Sequence, residues 1–335
     1  MSTGTDTVPL VQVNGLKVHF PLRKGLLFER TIGQIKAVDG ISFEIRRGQT
    51  FGLVGESGCG KTTVARALLQ LVEPSGGSIF FDGVDTAGYD RQQQQFFRRR
   101  VQAVFQDPFS SLNPRMRVQD IVGEPLTIHM STRGAALDAR VRELLETCGL
   151  PGAFARRFPH EMSGGQRQRV GIARALALEP DLIVCDEPVS ALDVSIQAQI
   201  INLLAHLQNE LGLTYLFIGH DLSVVRHLCD HVGVMYLGKL VEVAPAGTLF
   251  ASPEHPYTRA LIEAVPVPDP DFERARDHKP LPGEIPSSLS PPGGCVFHPR
   301  CPIAVSGCRT RIPELLPRDA GHLVACTELD ATASA

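Results

Sequence analysis

The chain contains no tryptophan and only four tyrosines, and its aromatic share is 6%. It also lacks a strong net charge, with 33 Lys and Arg against 36 Asp and Glu. Together these shortages argue against nucleic acid as a partner, so the basic run Arg98-Arg99-Arg100 reads as a solvated face or an edge near a membrane partner. No apolar run reaches the roughly 18 to 20 residues that cross a bilayer, and the start MSTGTDTVPL lacks a basic segment followed by an apolar one. A cytoplasmic place is therefore expected, with any membrane role arising through a partner. Internal repeats are missing too. What is present is 335 residues, 43% of them apolar, enough for one large domain plus an appendage.

Cysteine is unevenly spread. Cys59, Cys148, Cys185 and Cys229 are scattered through the body and read as small buried hydrophobes, since a reducing cytosol disfavours disulfides. Cys295, Cys301, Cys308 and Cys326 gather near the end, behind a proline-rich stretch that begins after Phe250 and marks a linker and a small separate module.

Within the body, Val11 to Phe20 and Ile41 to Ile45 are strand-like, and the basic stretch Pro21 to Lys36 between them reads as a loop. The run Thr50 to Val54, the loop GESGCGKTT and the apolar stretch Val64 to Leu71 give strand, loop and helix in that order. EPSGGSIFFDG has hairpin turn residues. Leu137, Val141, Leu144, Leu145 and Cys148 fall at helical spacing up to a stop at Gly149 and Pro151, and a helical insert fits residues 107–179. Strand Leu182 to Cys185, a helix with Ile196, Ile200, Leu203, Leu204, Leu207 and Leu211 on one face, and strand Thr214 to Ile218 then alternate, which predicts an α/β fold with a largely parallel sheet.

Gly55-Glu56-Ser57-Gly58-Cys59-Gly60-Lys61-Thr62 fits G-x-x-x-x-G-K-[ST]. Its glycines let backbone N–H groups turn toward phosphates at a helix start, Lys61 would hold the β- and γ-phosphates, Thr62 would place its hydroxyl on Mg²⁺, and Thr63 could add a phosphate contact. The strand Leu182 to Cys185 presents Asp186 and Glu187 at its end: Asp186 as a direct or indirect Mg²⁺ partner, Glu187 free to orient and deprotonate water. Between the two lies Met162-Ser163-Gly164-Gly165-Gln166-Arg167-Gln168, opening another helix. A serine N-cap accounts for Ser163 but leaves two glycines and a glutamine over, so a second anion site is expected.

In these motifs and their order the chain resembles the nucleotide-binding subunits of ABC transporters. The resemblance implies a P-loop NTPase (RecA-like) parallel-sheet core with an N-terminal antiparallel β subdomain, an inserted helical subdomain and a small Cys-rich C-terminal module. It implies ATP and Mg²⁺ as ligands, and two ATPase domains paired head to tail, with Ser163 and Gly165 of one clasping nucleotide on the other's loop. Gln106 resembles the glutamine that contacts Mg²⁺ and the attacking water. Ser190-Ala191-Leu192-Asp193 resembles the segment linking the two sites, and His220 matches the histidine that contacts the γ-phosphate. Adenine would stack on Phe20, or on Phe28. Met162 replaces the family's usual leucine, an exchange of similar volume.

Gly25-Leu26-Leu27, Val38-Asp39-Gly40, the run Gln106 to Pro114 and the run His255 to Leu261 look like the oligopeptide and dipeptide importers, the second of their two ATPases. That likeness implies a non-identical ATPase partner, two transmembrane permease subunits and an extracytoplasmic substrate-binding protein, at the cytoplasmic face of the membrane. A soluble clamp on ribosomes or DNA, and uptake of nickel chelates, glutathione or sugars, are the competing readings. The spacing Cys295-x5-Cys301-x6-Cys308-x17-Cys326 is looser than usual for zinc and suits an iron–sulfur cluster. Some peptide-importer ATPases resemble this arrangement and carry a [4Fe–4S] centre, so the resemblance implies one here, with zinc, including a mixed site using His298 or His322, and four unligated thiols as alternatives. The expected division is an ATPase domain over 8–250, a proline-rich linker over 251–294 and a cysteine module over 295–330.

Overall fold

The computed structural model describes residues 8–24, 30–107, 111–265, 281–319 and 321–329. Two compact units share the chain: a loop unit made of Val11–Glu44, Phe51–Val84 and the chain from His220 onward, and a helical unit made mainly of Asp85–Gly219 with Ile45–Thr50.

The loop unit begins with β1 (Val11–Lys24), β2 (Arg30–Ile45), β3 (Thr50–Val54), α1 (Lys61–Leu68), β4 (Gly76–Phe81) and β5 (Val84–Asp85). The loop expected over Pro21 to Lys36 is shorter than its composition suggested, because β1 runs on to Lys24 and β2 starts at Arg30. Pairing with a neighbouring strand holds polar residues extended as readily as apolar ones. The sheet order is β2-β1-β4-β5, with β1 antiparallel to β4 from Val11 opposite Phe81 to Lys17 opposite Gly76. The predicted hairpin turns at Asp82 and Gly83, both at positive φ (55° and 77°), the Asp-Gly chemistry that tight hairpins demand. Gly25-Leu26-Leu27 and Phe28 lie outside the described residues.

In the helical unit, α2 (Arg91–Arg100) starts at a capping box between Asp90 and Gln93 and leads into β6 (Val101–Val104). Then come α3 (Val118–Met130), α4 (Gly134–Thr147), α5 (Gly164–Leu176), β7 (Leu182–Asp186), α6 (Val194–Leu211) and β8 (Thr214–Ile218). Strands β8, β7 and β6 run parallel in that order. β7 and β8 are buried almost throughout, which explains their unbroken apolar runs. The predicted face of α6 closes one turn early: Ile200, Leu203, Leu204 and Leu207 are buried, but Leu211 is 54% exposed beside the left-handed cap Gly212.

The loop unit resumes with α7 (Leu222–Leu228), β9 (His231–Tyr236), β10 (Lys239–Pro245), α8 (Ala246–Ala251), α9 (Pro256–Glu263), β11 (Leu316–Asp319) and β12 (His322–Val324). Its second sheet run is β11-β12-β10-β9-β3, with β3 parallel to β9 and the rest antiparallel. The cysteine-bearing segment, expected to stand apart, thus ends in strands laid against β10. Glu242 on β10 is completely buried and is satisfied there by the N–H groups of Glu254 (2.8 Å) and His255 (3.0 Å) and by His322 Nε2 at 2.8 Å. A carboxylate so desolvated is tolerated only with such partners.

Candidate active site

In the loop unit, the fully buried strand β3 feeds a turn in which Gly55, Gly58 and Gly60 have φ of 150°, 79° and 111°. A Cβ at Gly55 would stand 2.2 Å from the carbonyl oxygen of Met235, and one at Gly60 2.1 Å from that of Ala37. Both obstacles are backbone, so only glycine fits. Gly60 is also the N-cap of α1 and offers no side-chain cap, which leaves the first N–H groups of the helix to another acceptor. Lys61 is buried, and its Nζ donates to the carbonyls of Gly55 (2.7 Å) and Glu56 (3.1 Å) and lies 3.6 Å from Cys59 Sγ. Burial raises the Cys59 thiol above its ordinary value against the pull of Lys61, so it behaves as the predicted small hydrophobe. Thr62 is exposed and Thr63 half-buried at the start of α1.

His220 is exposed, next to Asp221, whose carboxylate caps α7 through the N–H groups of Ser223 and Val224. His220 and Asp221 line one cavity of about 560 Å³ with Gly55, Glu56 and Ser57. The structure therefore brings the predicted histidine to the predicted phosphate loop. Phe20 is 39% exposed on β1, which leaves its ring open to solvent and not packed in the core. Sequence reasoning missed Tyr257: its hydroxyl accepts the Glu56 N–H at 2.9 Å and anchors the loop from α9. Its signal was the run His255 to Leu261, read as a likeness and not as a contact.

In the helical unit, Gln106 Nε2 donates to Glu187 Oε2 at 2.8 Å, joining two residues predicted separately. Glu187 follows β7 at φ 49°, a left-handed conformation unusual for a side chain of this size, and its N–H donates to the Ile218 carbonyl at 2.9 Å. Such strain is stored where a side chain must be aimed. Asp186 is half-buried at the end of β7, and Gln106 is exposed. Pro108, Phe109 and Ser110 of the run after Gln106 lie outside the described residues.

The turn opening α5 corrects one step of the sequence argument. Ser163 Oγ accepts the Gln166 N–H at 3.4 Å, and Gln166 Oε1 accepts the Ser163 N–H at 3.1 Å. This capping box accounts for the glutamine as well as the serine. Packing accounts for the glycines: a Cβ at Gly165 would meet Ile196 Cγ2 at 2.4 Å, and one at Gly164 would meet Leu192 Cδ2 at 3.1 Å. The turn is thus seated on the Ser190 to Asp193 segment and the start of α6. Asp193 caps α6 through the Ile196 N–H at 3.0 Å, and Met162 is buried.

Cys59, Cys148, Cys185 and Cys229 are all buried, as predicted, with burial pushing Cys148 up to about 12. Cys295, Cys301, Cys308 and Cys326 line one small cavity with His255 and His298. Burial raises Cys295 and brings Cys301 to about 11, so both are protonated thiols near neutrality. Among the described residues, no group of three or more His, Cys, Asp or Glu is placed to hold a metal ion. The expected [4Fe–4S] centre finds thiols in sufficient number but not in ligand placement. His322, a candidate for a mixed zinc site, is instead paired with Glu242.

Comparison with known proteins agrees with this geometry. Residues 38–190 match the ABC transporter family, and residues 241–308 match the oligopeptide/dipeptide transporter C-terminal region. The chain is 52% identical to the putative oligopeptide transport ATP-binding protein YkfD of Bacillus subtilis, covering 95% of each. It is 50% identical to the oligopeptide transport ATP-binding protein AppF of the same organism, over 97% of this chain and 98% of AppF. A putative peptide import ATP-binding protein of Brucella ovis is 52% identical over 96% of this chain and 98% of that one. Among solved structures, a dimeric ATP-binding cassette in a post-hydrolysis state with ADP and Pi is similar, with a TM-score of 0.61, 29% identity, and coverage of 70% of this chain and 98% of that one. On half-identity over nearly the whole length, the chain belongs to the ABC transporter family of ATP-binding proteins.

Proposed function

We propose that the chain is the ATP-hydrolysing subunit of an ABC importer that takes up peptides, working at the cytoplasmic face of a membrane against permease subunits. The observation that carries this reading is the pairing of a phosphate loop, in which Gly55 and Gly60 leave no room for a Cβ and no side chain caps the helix that follows, with a C-terminal segment matching that of oligopeptide and dipeptide transporters. No helix among the described residues is long and apolar enough to cross a membrane, so passage of the solute falls to other subunits. The partner set we propose is a second, non-identical ATPase, two permeases and an extracytoplasmic binding protein. The domain limits we propose are an ATPase domain over 8–250 with a helical insert over 107–179, a linker over 251–294 and a cysteine module over 295–330.

Within that reading, the N–H groups of Ser57, Gly58, Cys59 and Gly60 with Lys61 and Thr63 grip the phosphates, and Phe20 offers a face to adenine. The hydroxyl of Thr62, the amide oxygen of Gln106 and the carboxylate of Asp186 are hard oxygen donors of the kind Mg²⁺ prefers, and the ion would neutralise charge on the β- and γ-phosphates. Glu187, aimed by its strained backbone and steadied by Gln106, accepts the proton of the attacking water. His220 stands beside the loop to contact the γ-phosphate. Ser163, Gly164, Gly165 and Gln166 serve the nucleotide of a partner subunit, and Asp193 lies on the segment linking the two sites.

The cysteine cavity supports a further part of the proposal: four thiols around one space suit a [4Fe–4S] cluster or zinc in kind, and metal binding would have to draw them together. Iron content and visible absorbance of anaerobically purified protein test that part, and a colourless, metal-free sample removes it. The ATPase reading is tested by phosphate release from the chain assembled with its second ATPase in MgATP. Absence of MgATP-dependent phosphate release would refute it. Neither a soluble clamp nor a different solute has an observation of this kind behind it.

A further inference from the structure

The cysteine-bearing segment reaches the phosphate loop through one side chain. Arg300 immediately precedes Cys301 and is only 6% exposed, so its charge must be met inside the protein. It is met by Glu56, the second residue of the loop: Nη1 donates to Oε2 at 2.9 Å and Nη2 to Oε1 at 3.3 Å, a two-pronged pair. Arg300 Nε also reaches the Pro282 carbonyl at 3.4 Å, and the guanidinium lies 6.0 Å from the centre of the Tyr236 ring. With the Tyr257 hydroxyl on its N–H, Glu56 is held at both backbone and side chain by residues far beyond the loop's own strand and helix. The arrangement solves an electrostatic problem. A carboxylate in a loop built to attract phosphates would repel them unless its charge were cancelled, and repulsion of this kind is strong in partly buried sites.

We propose that Arg300 is a positioning residue of the nucleotide site: by neutralising and fixing Glu56 it keeps the loop receptive to phosphate, and through it the cysteine-bearing segment sets nucleotide affinity. This inference rests on the ATP-binding reading of the loop. The test is calorimetric titration of MgATP into the full-length chain carrying Arg300→Ala, Arg300→Lys, Arg300→Ala with Glu56→Gln, or Lys61→Ala, with Tm recorded for each. Arg300→Ala is expected to weaken MgATP about tenfold. Arg300→Lys, which keeps the charge but not the fork, should weaken it less. The double variant should recover most of the loss, because no unpaired carboxylate remains to oppose the phosphates. A residue that merely held the fold would show no such recovery. Wild-type affinity in Arg300→Ala, or a double variant binding no tighter than Arg300→Ala, would overturn the inference. Where Arg300→Ala does not fold, Arg300→Lys and the double variant carry the comparison: a double variant weaker than Arg300→Lys by tenfold or more overturns it equally. Lys61→Ala separates the two levels. Its loss of MgATP alongside unchanged Arg300→Ala overturns the role of Arg300 alone, whereas wild-type binding by Lys61→Ala overturns the ATP-binding reading itself.

Discussion

Two glycine-rich turns each open a helix in this protein, and they do so in opposite ways. The phosphate loop reaches α1 through glycines at positive φ, and no side chain caps the helix. The turn from Ser163 reaches α5 through glycines that are not left-handed, and a serine–glutamine box satisfies the N–H groups of Ser163 and Gln166 from within. A terminus with no side-chain cap suits an anion, since the N–H groups of its first turn and the helix dipole both favour negative charge. A terminus that caps itself in part offers a phosphate fewer of its N–H groups. Under the proposed function this difference would be a division of labour, the first turn binding nucleotide by itself and the second acting on nucleotide brought by a partner.

The largest effect that sharpens this contrast concerns neither turn directly. Glu187→Gln keeps the hydrogen-bonding shape but cannot accept a proton, so phosphate release should fall by about a thousandfold while MgATP binding persists. Phosphate assays on the assembled ATPase pair, with calorimetry on the same samples, check both halves. Next, Lys61→Ala should weaken MgATP binding by the lone chain about a hundredfold, the size expected for lost hydrogen bonds to charged groups. The same measurement on Ser163→Ala should give near wild-type affinity. If the lone chain loses affinity equally in both variants, the division of labour fails.

Acidity should affect the loop's support before it affects the second turn. Burial lowers His255 to about 3, and its neutral Nδ1 accepts the Tyr257 N–H at 3.1 Å, capping the helix that anchors Glu56. Because the unfolded imidazole titrates near 6.5, this contribution is fully present above that pH and is lost as pH falls toward the folded value. Stability should decline by about 2 kcal/mol between pH 6.5 and pH 5, read as a falling Tm. His255→Asn, which can still cap, should flatten that decline. A smaller change follows from Ser163→Ala, which removes half of the capping box and should cost about 1 kcal/mol of stability in the lone chain. Met162→Leu, a swap of similar volume at a buried site, should change stability by less than about 1.5 kcal/mol.

The parts of this molecule that were readable in advance are those where local chemistry leaves one solution. Gly55 and Gly60 occupy conformations and spaces closed to other residues, Gly58 a left-handed conformation that favours glycine, and β7 and β8 are mostly apolar because they are buried almost throughout. Motif order marked Gln106 and Glu187 one by one, but the hydrogen bond that joins them across distant segments was not among the expectations. What escaped was set by long-range pairing. β1 and β2 extend through polar sequence because each has a neighbour, and β12 joins β10 through a buried Glu242 that no local pattern announces. Tyr257 and Arg300 converge on Glu56 from separate stretches of chain, so neither could be assigned to the loop before the fold was known.

The most direct measurement is sedimentation of the Glu187→Gln chain mixed with the second ATPase of its importer, with and without saturating MgATP. The account predicts a heterodimer that forms only with MgATP and is lost when Ser163 is also replaced by a bulky residue. Mixtures that sediment as separate chains at saturating MgATP, or a heterodimer indifferent to both nucleotide and Ser163, would contradict it.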